Sequence, residues 1–188
     1  MPKITDRSAL IDGLLKLIAV GGVTAAAIIA PNSLQFLGKP LNKYLIRLDK
    51  KARERELKRT LSYLKYSKLI TEDYEHGLAL TAKAKHRLQQ ISISELTIPK
   101  PNKWDKCWRI IFFDIPESKK TRRDAFAAQV RQLGFKVLQR SVFIHPYPCQ
   151  EQVATLTEYF RVSKYVSYIE TAHIDNESIL YKRFKDIL

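Results

Sequence analysis

The stretch RIIFFDIPESKKTRRDAF, Arg109 to Phe126, decides how the second half of the chain reads. Trp108 to Ile115 is an apolar, β-branched and aromatic run of the kind that forms a buried strand. Pro116 closes it, because proline has no amide hydrogen to give a ladder. Ser118 stands where it can cap a helix through about Leu133, with Phe126, Val130 and Leu133 as the apolar stripe. Gly134 is a stop signal for that helix. FKVLQRSVFIHPY (135–147) is strand material, enough for one bent strand or two. Gln150 to Phe160 suits a helix, and KYVSYIETA (164–172) alternates as a strand. DNESILYKRF opens a last helix, with Asp175 or Asn176 as its cap. The order β-α-β(β)-α-β predicts an α+β class and a ferredoxin-like βαββαβ sandwich over 105–188, with helices on one face of an antiparallel sheet.

Upstream the composition changes. ISISELTIPKPNKW (91–104) reads as a linker, with Pro99 and Pro101 blocking helix. Before it the chain is strongly basic. The net charge is +14, and residues 39–68 hold eleven Lys and Arg against three acids. Such a clustered excess predicts an anionic partner, nucleic acid first and a membrane surface second.

Within the basic region Leu57, Leu61 and Leu64 recur at i, i+4 and i+7, one face of an amphipathic helix. Leu69 to Thr71 and Leu78 to Leu80 are short strands around the turn EDYEHG. Thr81 is then the N-cap of a further helix, TAKAKHRLQQI. Basic helix, hairpin and helix together resemble a winged helix-turn-helix domain over 41–90. In that arrangement the helix before the hairpin enters the major groove and the wing follows the backbone. The DNA-binding candidates are therefore Lys51, Arg53, Arg55, Lys58 and Arg59, with His76 at the wing tip against phosphate.

Residues 1–40 form an apolar helix and a connector. Leu17 to Ala30 is fourteen residues without a charge, and 8–30 reads as one helix stopped by Pro31. A bilayer span needs about 20 apolar residues, so a buried or oligomer-forming helix is expected. A membrane anchor through 13–30 is the alternative. Cys107 and Cys149 fall in no zinc-ligand spacing, and a reducing cytoplasmic setting is expected.

FFDIPE, a helix carrying Arg122-Arg123, and LGFKVLQRSVFIHPYP together resemble the central domain of PaaX-type transcriptional regulators. That domain is in turn similar to the small CRISPR adaptation endonuclease. The resemblance covers roughly 104–175. It implies a homodimer joined through the ferredoxin-like domain, presenting two basic helices to a two-fold operator, with no cofactor needed for DNA binding. PaaX-type regulators carry a further C-terminal segment tied to an acyl-CoA effector; this sequence ends soon after the domain, and no effector is carried over.

The CRISPR resemblance implies a second activity. There the acid that closes the first strand, here Asp114, is the metal ligand, and two such acids facing each other across a dimer axis would hold Mg²⁺ and activate water. One carboxylate per protomer is a poor metal site, so the reading leans toward Asp114 closing a strand and leaves open whether the protein is an enzyme. A Mg²⁺-dependent adaptation-type nuclease or integration scaffold is the alternative. Ser141 has no base placed beside it by the sequence, and His145 reads as a structural or surface residue.

Overall fold

A computed structural model describes residues 4–30, 45, 47–73, 77–175 and 177–188. The chain divides into two compact units, residues 1–92 and 93–188. The described residues form a mixed α+β structure with two antiparallel sheets.

The first unit opens with α1 (Ile4–Ala19) and the short α2 (Ala25–Ile29). The single helix expected over 8–30 is therefore corrected: it breaks at residues 20–24. Gly21 and Gly22 sit at φ of 89° and 68°, a left-handed backbone open to glycine without steric cost. Thr24 then restarts the chain as an N-cap, its Oγ1 accepting from Ala27 N–H at 3.2 Å. The apolar character of 17–30 is continuous, so hydropathy alone hides the break.

α3 (Lys50–Tyr66) follows, with Asp49 as N-cap, its Oδ1 accepting from Ala52 N–H at 2.7 Å. Leu57, Leu61 and Leu64 lie on its buried face, as their spacing requires. Its C-terminus is closed by Lys68 at φ 55°, with Leu69 N–H donating to Leu64 O. A lysine at this left-handed position sets positive charge beside the negative end of the helix dipole. β1 (Ile70–Asp73) and β2 (Gly77–Leu80) form an antiparallel hairpin with Ile70 opposite Leu80. α4 (Ala82–Ser94) starts under the expected cap: Thr81 Oγ1 accepts from Ala84 N–H and donates to Lys68 O at 2.8 Å.

One core joins these elements. Leu10, Leu14, Leu15 and Ile18 of α1 are buried with Ile28, Leu57, Leu64, Ile70, Leu78 and Ala84. Arg87 of α4 donates from both Nε and Nη2 to Asp12 Oδ1 of α1, at 2.8 and 2.6 Å. The apolar N-terminal segment thus fills the core beneath the hairpin. Among the described residues no helix is long and apolar enough to cross a membrane.

The second unit contains β3 (Trp108–Phe113), α5 (Lys120–Gln132), β4 (Lys136–Gln139), β5 (Val142–His145), α6 (Gln150–Tyr159), β6 (Val166–Thr171) and α7 (Glu177–Arg183). The sheet order is β4-β5-β3-β6, antiparallel throughout. Residues 135–147 thus supply two strands, turned at Arg140-Ser141. α5 is not capped by Ser118, which is a correction. A 3₁₀ turn, Glu117–Lys119, precedes it, and Lys119 takes the cap position without a side-chain bond. Gly134, at φ 96°, ends α5 as expected, with its N–H on Arg131 O and Phe135 N–H on Val130 O. These paired bonds satisfy carbonyls that a bare helix end would leave open.

Residues alternate across β3. Ile111 and Phe113 face the helices, packing with Phe126, Val130, Phe143, Val153 and Leu156. Trp108 and Ile110 face the other way, where Ile144 and the α7 residues Leu180 and Phe184 cover them. Phe112 and Ile169 remain 42% and 45% exposed. Arg109 is the exception on the helix side. Only 3% exposed, it donates to Asp105, Cys107 O and Pro146 O.

Candidate nucleic-acid interface

The basic residues of α3 sort by helical phase. The leucine stripe faces the core. About 180° away lie Arg55, Arg59, Ser62 and Tyr66, with Lys51, Lys58 and Lys65 along one flank of the helix at roughly 75–115°; all seven are exposed. Arg55, Arg59, Ser62 and Tyr66 recur at i, i+4, i+7 and i+11, a straight stripe on a helix about 25 Å long. No carboxylate falls within that stripe. Glu54 flanks it and is held by Lys58 Nζ at 2.6 Å. The ammonium of Lys58 keeps the Glu54 carboxyl below its ordinary range, by hydrogen bond first and by charge second. Lys65 Nζ lies 2.5 Å from Glu72 on β1, which ties the helix to the hairpin at its exposed edge.

Of the residues that the sequence singled out, Lys51, Arg55, Lys58 and Arg59 come together on this face. Arg53 does not join them. Its Nε donates to Leu45 O at 3.1 Å and its Nη2 to Leu48 O at 3.3 Å, so it braces the chain leading into the helix. His76 lies outside the described residues. Ser62 and Tyr66 were missed. The signal was their spacing from Arg55 and Arg59, which a search for charge alone passes over. Tyr66 is 89% exposed at the end of the stripe. An exposed aromatic ring beside cations suits a base or sugar surface.

A second feature lies in the other unit, where β3 ends. Asp114 is exposed, and its backbone N–H donates to Tyr165 O at 3.0 Å. It borders a cleft of about 580 Å³ between the β3 end, α5 and the β4–β5 turn. Phe113, Ile115 and Ala127 form its apolar lining. Arg123, Asp124 and Arg131 enter from α5, and Arg140 and Ser141 from the turn. Arg123 is neutralised locally, bonding Glu117 Oε2 at 2.7 Å and Asp124 Oδ1 at 3.3 Å. Its guanidinium holds the Glu117 carboxyl below the ordinary range.

Mg²⁺ at Asp114 meets a specific chemical test here. Among the described residues no group of three or more His, Cys, Asp or Glu side chains is placed to hold a metal. Within one chain the cleft sets two carboxylates beside three guanidinium groups. That set attracts an anion more readily than a divalent cation, which prefers several hard oxygen ligands.

Ser141 lies at the turn beside this cleft without a histidine among its lining residues. His145 is structural: it is 3% exposed, ringed by Phe135, Tyr147 and Phe184, and its Nδ1 accepts from Tyr147 N–H at 3.0 Å. Cys107 and Cys149 are both free thiols.

Comparison with known proteins places the second unit. No curated protein matches the chain. The family model for the PaaX protein central Cas2-like domain matches residues 101–179. That span holds the whole four-stranded sheet with α5 and α6. By this match the second unit is similar to the PaaX central Cas2-like domain.

Proposed function

We propose that this chain is a PaaX-like transcriptional regulator that binds duplex DNA through α3 and the hairpin behind it. The observation that carries the reading is the α3 stripe of Arg55, Arg59, Ser62 and Tyr66, flanked by Lys51 and Lys58 and turned away from the leucine core. In this reading the first unit is a winged helix-turn-helix domain that includes α1, and β1–β2 is its wing. The second unit is a ferredoxin-like βαββαβ domain; the strand order β4-β5-β3-β6 with α5 and α6 on one face supports that assignment. It joins two copies, so that two α3 helices meet a two-fold site.

The flanking Lys51 and Lys58 bind phosphate and give salt-sensitive, sequence-tolerant affinity. Arg55 and Arg59 are the candidates to read guanine edges bidentately, each worth about 1–3 kcal/mol of discrimination. Fluorescence anisotropy and gel shifts with labelled duplex test this, with and without Mg²⁺, for the wild type, an Arg55→Ala/Arg59→Ala double variant and Asp114→Ala. Wild type and Asp114→Ala are expected to shift intact DNA, and the double variant to bind at least tenfold more weakly. Absence of a shift at low salt for the wild type would sink the reading. Mg²⁺-dependent cleavage abolished by Asp114→Ala would replace it with a nuclease centred on FFDIPE.

A further inference from the structure

The cleft beside Asp114 has no part in the α3 reading, and its chemistry points elsewhere. Its volume, about 580 Å³, falls within the range of small-molecule sites, roughly 300–1,000 Å³. Its base is apolar, formed by Phe113 and Ala127, each under 10% exposed. Around that base the charges do not cancel evenly. Arg123 is satisfied by Glu117 and Asp124. Arg131 lies with its guanidinium carbon 5.3 Å from the Phe143 ring centre, which fixes its base without neutralising it. Among the described residues neither Arg131 nor Arg140 has a carboxylate within ion-pair distance. Asp114 is the one acid of the cleft not engaged by Arg123.

We infer that this cleft binds a small phosphate-bearing molecule, with Arg131 and Arg140 holding the phosphate. Guanidinium groups match phosphate oxygens in fork geometry, and two from different elements converge on one dianion. The apolar base receives a flat or hydrocarbon portion of the same molecule. Asp114 repels a second anion and accepts a hydrogen bond from a hydroxyl or amine on the ligand. That division of labour explains the one carboxylate of the cleft that Arg123 does not engage. The inference concerns the second unit alone and stands or falls independently of DNA binding by α3.

The test is calorimetric titration of the full chain with adenosine monophosphate and with inorganic phosphate, for wild type, Arg131→Gln, Arg140→Gln and Asp114→Asn. Lys185→Gln, an exposed change on the C-terminal segment, is the charge control. Saturable binding of adenosine monophosphate is expected, at least tenfold tighter than inorganic phosphate. Each arginine variant is expected to lose at least tenfold for both probes, while Lys185→Gln stays within twofold of wild type. Asp114→Asn should bind inorganic phosphate as well as or better than wild type. No saturable binding of either probe, or equal losses in Lys185→Gln and the arginine variants, would overturn the site. A short duplex displacing the nucleotide at equal phosphate concentration would overturn the small-molecule assignment in favour of a backbone contact. Circular dichroism of Arg131→Gln guards against reading a folding defect as lost binding, and Arg140→Gln, on an exposed turn, gives the same answer without that concern.

Discussion

Leu78 N–H donates to Val23 O at 2.8 Å, so the segment that breaks the N-terminal helix is hydrogen-bonded to the hairpin 55 residues on. The neighbouring Gly77 makes that approach possible. A Cβ there would stand 2.8 Å from Val23 O, and its φ of 77° is one that side chains avoid. Gly77→Ala is expected to cost about 1–3 kcal/mol of stability. Urea unfolding checks this. Tryptophan fluorescence reports the second unit, because Trp104 and Trp108 both lie there, so the loss should appear in far-ultraviolet circular dichroism and not in the fluorescence transition.

On the α3 stripe, phosphate and base contacts separate by salt and sequence. Lys51→Gln is expected to weaken binding to every duplex about equally and to lower the salt slope by roughly 1. Arg59→Ala is expected to flatten preference at one operator position. Anisotropy across a small panel of duplexes at several salt concentrations distinguishes the two. A uniform loss for both variants would leave α3 as a phosphate contact alone.

Arg109 ties the start of β3 to the segment before it and to the turn after β5. It reaches both oxygens of Asp105, at 2.8 and 2.5 Å, and the carbonyls of Cys107 and Pro146. Arg109→Met is expected to cost roughly 3 kcal/mol, because two carbonyls lose a charged donor inside the fold. Asp105→Asn keeps one acceptor and should cost about 1 kcal/mol, the acid being half exposed. Denaturant midpoints followed by tryptophan fluorescence measure both.

Acid should act on the second unit in two steps. Burial pushes His145 down from 6.5 to about 4, so the folded form keeps it neutral where the unfolded chain takes a proton. Stability is then complete above about pH 6.5 and falls as pH drops toward 4, by roughly 3 kcal/mol in all. Below that, Asp105 adds a second loss. Its hydrogen bond to Arg109 holds it below the ordinary 3.8, so its contribution is present above that value and disappears as pH falls through the folded pKa. His145→Asn, which can still accept from Tyr147 N–H, should remove the first step and keep the second. A pH series of urea midpoints reads both, and an unchanged first step in the variant would assign it to another group.

The legible parts of the fold were those governed by local rules. The leucine stripe of α3, Thr81 under α4 and Gly134 after α5 each follow from spacing or from one residue's backbone freedom. What escaped depends on contacts distant in sequence. The pair Gly21-Gly22 breaks a helix that hydropathy continues, and Val23 is then held by Leu78. Ser118 was a reasonable cap, but the chain makes a 3₁₀ turn first and Glu117 engages Arg123 instead. In the candidate interface, counting charges gathered Arg53 with its neighbours, whereas helical phase turns it toward Leu45 and Leu48. The same phase brings in Ser62 and Tyr66, which carry no charge to draw attention. Neither Arg131 nor Arg140 stood out in the sequence, because only the fold brings α5 and the β4–β5 turn to one cleft.

The ion pair between Asp12 and Arg87 sets an order of events during synthesis. α1 leaves the ribosome first, yet its carboxylate has no partner until residue 87 has followed it. At about 5–20 residues per second that interval lasts roughly 4–15 seconds. Throughout it the core that Leu10, Leu14, Leu15 and Ile18 share with Ala84 of α4 is incomplete. The first unit is therefore expected to close late, when α4 arrives to complete it. A ribosome-stalled series ending on either side of Arg87 would show protection of α1 from protease appearing abruptly once that residue clears the exit tunnel.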